Sequence, residues 1–148
     1  MTCNDPYLRR VQATIAEHGY AVQCVGGDVA SRRQPFAYTV GLHTGPDHDY
    51  ELALSGLDAD TSTSVLHSLA AALAERRLKP VDGMEVNGVL SNGYALRLRS
   101  VSRPEEFGII NALYGATPPV YQAVWPDLHH RFPGDPDCRL TTLVQPLL

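Results

Sequence analysis

The chain has 148 residues, a formal net charge of −4 and a pI near 5.8. Hydrophobic residues make up 44% and charged residues 19%, which excludes a disordered chain and allows a packed core without disulfides. The acidic balance argues against nucleic acid as a partner, because a basic face supplies most of the affinity in such complexes.

Cysteine usage and hydropathy indicate the compartment. Cys3, Cys24 and Cys138 are odd in number and widely spaced, which fits reduced thiols rather than a disulfide framework. The first residues lack the charged start and apolar core of a signal peptide, and no apolar run has the length of a membrane span. We therefore expect a cytoplasmic protein without a membrane partner.

The first third of the chain predicts one helix and three strands. Asp5 can cap a helix that begins at Pro6 and ends at Gly19. Runs rich in β-branched and aromatic residues, bounded by turn-forming residues, then predict strands. These strands span residues 20–25, 36–42 and 51–55.

The central part predicts a long helix followed by an alternating strand. Residues 60–77 carry an apolar stripe at helical spacing, formed by Val65, Leu66, Leu69, Ala72 and Leu73. Asn87-Gly88 and Asn92-Gly93 are strong signals for tight turns between short extended pieces. Residues 93–101 alternate between apolar and polar side chains, which predicts a strand with one face in water.

The last third predicts one helix and two strands. Ser102-Arg103-Pro104-Glu105 has the pattern of a capping box, so a helix is expected from there to Gly115. Residues 120–125 and 140–145 predict strands. Strands come in runs and do not alternate strictly with helices, which favours an α+β fold. We predict a single domain over residues 1–148, with three helices packed on a mostly antiparallel sheet of about six to seven strands.

Three segments carry a resemblance to a known family: FAYTVGL at 36–42, YELALSGL at 50–57, and QAVWPD at 122–127 followed by Arg131-Phe132-Pro133. In this order and spacing they resemble the bacterial family of domains of unknown function numbered 4262, which is common in actinobacteria. The resemblance extends over about residues 18–147, although Tyr50 stands where the family usually has proline. It implies a family membership but no activity.

Residues 125–138 form a loop that is dense in chemically capable side chains: Asp127, His129, His130, Arg131, Asp135, Asp137 and Cys138. Binding and catalytic residues concentrate on such loops. The alternative is a tight surface turn that the prolines shape and the aspartates cap. Trp125, Asp127 and His129 are candidate ligand-binding residues, together with Gln122 in the preceding strand.

Residues 43–51 form a second polar segment with two histidines and three carboxylates. If this segment met the 127–130 segment, His43, His48, Glu51 and His129 could hold a divalent metal. The spacing matches no recognised metal motif, so solvated loop residues are the alternative. No other cofactor is evident in the sequence.

Glu51 opens an otherwise apolar strand and is therefore a candidate by itself. It is either an edge residue in water or a buried acid with a partner, since burial alone would raise its pKa. Tyr38 in the preceding strand is a candidate hydrogen-bond partner, and both residues are candidate ligand-binding residues. Ordinary sheet packing of Tyr38 and Glu51 is the alternative.

The sequence leaves the function open between several classes and does not decide whether the protein is an enzyme. The favoured hypothesis is a non-catalytic module that binds a small molecule or a protein, because no complete catalytic constellation is present. The alternative is a small metal-assisted hydrolase or isomerase that uses the 43–51 and 127–130 segments. A homo-oligomer with its site at a subunit interface is a third hypothesis.

Overall fold

The computed structural model describes residues 5–138 and 142–148, and these residues form three α-helices and six strands. The helices are α1 (Pro6–His18), α2 (Ala59–Glu75) and α3 (Gly108–Tyr114). The strands are β1 (Ala21–Val25), β2 (Phe36–Val40), β3 (Glu51–Ser55), β4 (Glu85–Val86), β5 (Leu96–Ser100) and β6 (Val120–Val124). None of the described helices combines the length and the apolarity that a bilayer crossing requires.

The six strands form one sheet in the order β1-β2-β3-β6-β5-β4. Neighbouring strands are antiparallel except β3 and β6, which are parallel, with Glu51 opposite Val120. The prediction of an α+β fold with a mostly antiparallel sheet is confirmed.

Helices cover both faces of the sheet, because successive strand residues point to opposite faces. On one face, Leu52 and Leu54 of β3 belong to a core cluster with Leu66 and Leu69 of α2. On the other face, Tyr38 of β2 belongs to a cluster with Val11 of α1, Ile110 of α3 and Phe107, which immediately precedes α3. Burial of each large apolar side chain contributes roughly 1.5–3 kcal/mol.

The ends of two helices test the predicted boundaries. The carboxylate of Asp5 accepts the Tyr7 N–H at 2.8 Å, and Gly19 ends α1 in the left-handed conformation, as predicted. The predicted start of the third helix at the capping box is wrong. Pro104–Glu106 forms a separate 3-10 turn. Phe107, which is fully buried, has a non-helical backbone and separates this turn from α3, which begins at Gly108.

The predicted strand over residues 140–145 is not formed within the described part of the chain. Residues 140 and 141 lie outside that part, and residues 142–145 form a turn. The Gln145 side chain accepts the Trp125 N–H and donates to the Trp125 carbonyl, each at 2.8 Å. This segment is thus attached to the end of β6 through an amide side chain rather than through a backbone ladder.

Candidate functional site

The two polar segments lie at opposite ends of the sheet. Residues 43–50 lead into the start of β3, whereas residues 125–138 follow the end of β6. Because β3 and β6 are parallel and paired in register, the length of a strand separates these ends, roughly 13 Å at about 3.3 Å per residue. The hypothesis of one site built from both segments is therefore wrong.

Asp127 organises its own loop. Its Oδ1 accepts the backbone N–H groups of His129 at 2.8 Å and Arg131 at 3.0 Å. The Asp127 carbonyl accepts the His130 N–H, and the His130 ring stacks on Tyr94 with centroids 4.5 Å apart. The buried Asp127 carboxylate thus shapes a tight turn, which was the alternative interpretation of this segment.

The polar side-chain atoms of Gln122 and Trp125 are bound by other parts of the chain. The Gln122 amide donates to the Pro146 carbonyl at 2.8 Å and accepts the Leu148 N–H at 2.8 Å. The Trp125 indole N–H donates to the Ser55 carbonyl at 2.9 Å. These contacts explain why both residues are buried or half-buried without any ligand.

Tyr38 and Glu51 do not form the predicted pair. Tyr38 lies opposite Ala53, and its hydroxyl accepts the Ile109 N–H of α3 at 3.2 Å. The residue that contacts Glu51 from β2 is Thr39. Of the two interpretations of Tyr38, ordinary packing in the sheet is the one that the structure shows.

Glu51 is a fully buried carboxylate that accepts four hydrogen bonds. Its Oε2 accepts the Thr39 hydroxyl at 2.9 Å and the Leu42 N–H at 3.2 Å. Its Oε1 contacts the His43 N–H and the His43 Nδ1, each at 3.1 Å. The Thr39 oxygen also accepts the Leu52 N–H at 2.8 Å, and its O–H remains to donate to Glu51. Four convergent donors are the environment that an ionised carboxylate requires.

The Glu51 carboxylate fixes the orientation of the His43 imidazole. A carboxylate at Nδ1 holds the proton on that nitrogen and leaves Nε2 as the atom that can meet a ligand. The other side of the His43 ring is supported by Tyr114, in an edge contact with centroids 4.7 Å apart. The His43 side chain keeps 19% of its surface exposed, whereas Glu51 keeps none.

Opposing effects act on the ionisation of Glu51. Burial raises the pKa of the Glu51 carboxyl above its ordinary value, and the hydrogen bonds from His43 and Thr39 oppose this rise. The same charge acts on a neighbour, since burial and the nearby Glu51 carboxylate raise the pKa of Tyr114. A buried acid paired with an oriented histidine is a common arrangement at functional sites.

His43 lines an open groove of about 570 Å³ between the 43–50 segment and the C-terminal end of α2. The segment contributes Asp47, His48, Asp49 and Tyr50. The helix end and the residues after it contribute Leu73, Ala74, Arg77, Leu78 and Lys79. The volume falls in the range of small-molecule sites, and the wall carries both apolar and charged groups.

Charges in the groove are partly paired. Lys79 Nζ lies 3.5 Å from Asp49 Oδ2, and both side chains are exposed. The His48 Nε2 lies 3.0 Å from the Ala70 carbonyl. Within the described part of the chain, no ion pair or hydrogen bond engages the Arg77 guanidinium, which leaves it available to an anion.

Tyr50 lines the same groove, and the residue is 3% exposed. Its hydroxyl is the one buried side-chain polar atom without a hydrogen-bond partner among the residues that the structure describes. Burial and the carboxylates of Asp49 and Asp47 raise the pKa of this hydroxyl. An unsatisfied buried group of this kind costs roughly 1–3 kcal/mol, and a ligand that reached it would recover that cost.

Comparison with known families identifies the chain. The model of the domain of unknown function DUF4262 matches residues 14–139, which is most of the chain. The chain belongs to the DUF4262 family. Neither a curated protein nor a solved structure gives a match.

The FAYTVGL segment, which carries part of the family resemblance, positions backbone groups that bind Glu51. Gly41, in the FAYTVGL segment, has a φ of +90°, and a Cβ there would lie 2.9 Å from the Ile15 Cγ2. This left-handed turn directs the next two backbone N–H groups, those of Leu42 and His43, at the Glu51 carboxylate. The glycine therefore positions the groove wall, although it has no side chain to offer a ligand.

The four proposed metal ligands are not brought together. His43 and Glu51 are in contact, whereas His48 turns to the carbonyl of Ala70 and His129 lies in the other loop. Within residues 5–138 and 142–148, no group of three or more His, Cys, Asp or Glu side chains is arranged to hold a metal ion.

Sequence reasoning missed three contributors: Thr39, which donates to Glu51, and Tyr50 and Arg77, which line the groove. Thr39 and Tyr50 lie inside the quoted segments, but nothing local shows that one hydroxyl is engaged and the other is not. In the sequence pattern Arg77 belongs to the polar end of the second helix, whereas in the structure α2 ends at Glu75 and Arg77 lies in the turn that follows. Arg77 reaches the groove because the residues after α2 lie beside the 43–50 segment, a contact that the local sequence does not predict.

Proposed function

We propose that this chain is a non-catalytic binding module that holds a small polar molecule in the groove between the 43–50 segment and the end of α2. The ligand class is a small acid that also carries an N–H or O–H donor, such as a hydroxy acid or an amino acid. The anionic group would meet Arg77, and the donor would meet His43.

The observation that carries this proposal is the His43–Glu51 contact. A buried carboxylate that accepts from Nδ1 costs desolvation energy, and it leaves Nε2 of a partly exposed imidazole as an oriented hydrogen-bond acceptor. A ligand with an O–H or N–H group is the natural partner for that lone pair.

Two further features support the ligand class. Arg77 contributes a guanidinium that can bind a carboxylate or a phosphate in bidentate fashion. Tyr50 contributes a hydroxyl that lacks a partner within the described residues and lies at the same groove. Both features favour a polar ligand over an apolar one.

Three matched probes test the proposal: glycolate, acetate, which lacks the hydroxyl, and glycolamide, which lacks the charge. We expect glycolate to bind about tenfold more tightly than either of the others, because each comparison removes one good polar contact. Binding is followed by chemical-shift titration of the backbone amides of residues 43–50. Equal binding of all three probes, or no shift in this segment, would contradict the proposal.

Variants assign the two contacts. His43→Ala should remove the preference for glycolate over acetate, and Arg77→Ala should remove the preference for glycolate over glycolamide. His129→Ala and Arg103→Ala are the matched controls, since both residues lie away from the groove. If a control variant loses a preference and the groove variant keeps it, the site has been placed wrongly.

The competing hypothesis of a metal-assisted hydrolase or isomerase has less support. It drew ligands from two segments that lie at opposite ends of the β3–β6 pair. A cytoplasmic location belongs to the proposal as well, and it is supported by the exposed, free thiol of Cys24.

A further inference from the structure

β1 is an open edge of the sheet. It is the first strand in the sheet order, and its five residues pair with β2 in an unbroken register from Ala21–Val40 to Val25–Phe36. In the described part of the chain, no backbone hydrogen bond joins β1 to a segment other than β2. The opposite edge, β4, has only two residues.

The β1 edge lacks the features that usually prevent pairing. Edge strands of monomers commonly carry lysine, proline, an inward charge or a bulge. The β1 sequence is Ala-Val-Gln-Cys-Val, which contains no proline and no charge. Cys24 is exposed, and Val22 and Gln23 are half-buried, so the edge is accessible.

The edge is complementary to itself about Gln23. In an antiparallel pair of two β1 strands centred there, Val22 of each copy lies opposite Cys24 of the other, and the two Gln23 residues face each other. Apolar side chains thus meet apolar side chains at positions 22 and 24. The Gln23 amide is held within its own copy, where its oxygen accepts the Tyr7 hydroxyl and its nitrogen donates to the Cys24 carbonyl at 3.5 Å. A two-fold axis requires this kind of self-complementary patch.

Two hollows border the β1 edge. Val22 borders a hollow of about 450 Å³ with Thr63 and His67 of α2. Cys24 borders a hollow of about 230 Å³ with Ala59 and Ser62. In the symmetric pair, the side chains of the second copy at positions 24 and 22 would lie beside these two hollows.

We propose that two copies of this chain associate through antiparallel pairing of their β1 strands about Gln23, which joins two six-stranded sheets into one. The occupant of the edge is a second copy because the strand is uncharged and symmetric in polarity about its centre. The pairing uses surface outside the groove and does not depend on the ligand proposed there.

Charged substitutions at Gln23 test the pairing, with the mass measured by sedimentation equilibrium at several concentrations. We expect the unmodified chain to reach twice the 16.1 kDa of one copy. Gln23→Lys and Gln23→Glu should each sediment as single copies, because like charges would lie directly opposite. An equimolar mixture of these two variants should recover the doubled mass.

The controls keep the test decisive. Gln12→Lys and Gln12→Glu change an exposed position on α1 and should associate like the unmodified chain. If a Gln23 variant fails to fold by circular dichroism, Cys24→Lys and Cys24→Glu replace the pair, since Cys24 is exposed. A single-copy mass for the unmodified chain overturns the proposal, and so does association that the charged variants do not change. Failure of the mixture to recover the doubled mass excludes the two-fold register.

Discussion

At the scale of single residues, two buried tyrosines make opposite use of their hydroxyl groups. The Tyr38 hydroxyl accepts the Ile109 N–H, whereas the Tyr50 hydroxyl has no partner among the described residues. Removing an engaged hydroxyl costs stability, while removing an unsatisfied one relieves a penalty. The pair thus allows a comparison within one protein.

We expect Tyr50→Phe to raise the free energy of unfolding by roughly 1–3 kcal/mol and Tyr38→Phe to lower it by about 0.5–1.5 kcal/mol. Urea denaturation of both variants measures the difference. Tyr50→Phe should also weaken glycolate binding, because the hydroxyl at the groove is lost. A destabilised Tyr50→Phe variant would show that this hydroxyl is engaged in the free protein.

The buried carboxyl of Glu51 gives the stability a pH dependence with a defined sign. Burial raises the pKa of Glu51 above its ordinary value of 4.5, so the folded chain holds the proton more tightly than the unfolded chain does. The contribution of this group to stability is therefore full below pH 4.5 and is lost as the pH rises through the raised pKa.

This dependence is measured as the difference in unfolding free energy between the unmodified chain and Glu51→Gln. We expect this difference, the unmodified chain minus the variant, to decrease as the pH rises from 4.5 to neutrality. Glu105→Gln is the control, since Glu105 is exposed. A difference that grows with pH would mean that the hydrogen bonds from His43 and Thr39 outweigh burial.

At the scale of elements, the turn at Gly41 connects the end of β2 to the groove. Gly41 and Gly83 have nearly the same φ, +90° and +88°, but of the two only Gly41 has side-chain atoms within 4 Å of the point where a Cβ would lie. Alanine at either site adds strain of about 1–3 kcal/mol. At Gly41 it also meets the Ile15 side chain and the Tyr114 hydroxyl.

We therefore expect Gly41→Ala to lose more stability than Gly83→Ala in urea denaturation. Gly41→Ala should also lose glycolate binding, because the Leu42 and His43 N–H groups would no longer point at Glu51. Gly83→Ala should bind glycolate as the unmodified chain does. Equal losses of stability at the two sites would show that the turn at Gly41 is not constrained by its neighbours.

Elements could be predicted from the sequence where local signals agreed with the packing. Asp5, Pro6 and Gly19 marked the first helix because capping depends on neighbouring residues. The third helix was placed too early, because burial of Phe107 overrides the local capping pattern. The parallel pairing of β3 with β6 was not predicted, since it depends on contacts between residues far apart in the chain.

At the scale of the whole molecule, that parallel pairing decides which polar residues can act together. Sequence reasoning identified Glu51 and His43 as candidates and allowed that Glu51 was a buried acid with a partner. It could not identify the partner, because His43 reaches Glu51 only through the turn at Gly41. The pairing with His129 was wrong because the strands carry the two loops to opposite ends.

The most direct measurement of the central claim is the ¹H–¹⁵N correlation spectrum of the His43 ring at neutral pH, before and after addition of glycolate. We expect the free protein to carry the proton on Nδ1, held by Glu51, with the Nε2 resonance shifting on addition of glycolate and the ring of His129 unchanged. A proton on Nε2 in the free protein, or a His43 ring that does not respond to glycolate, would contradict the account.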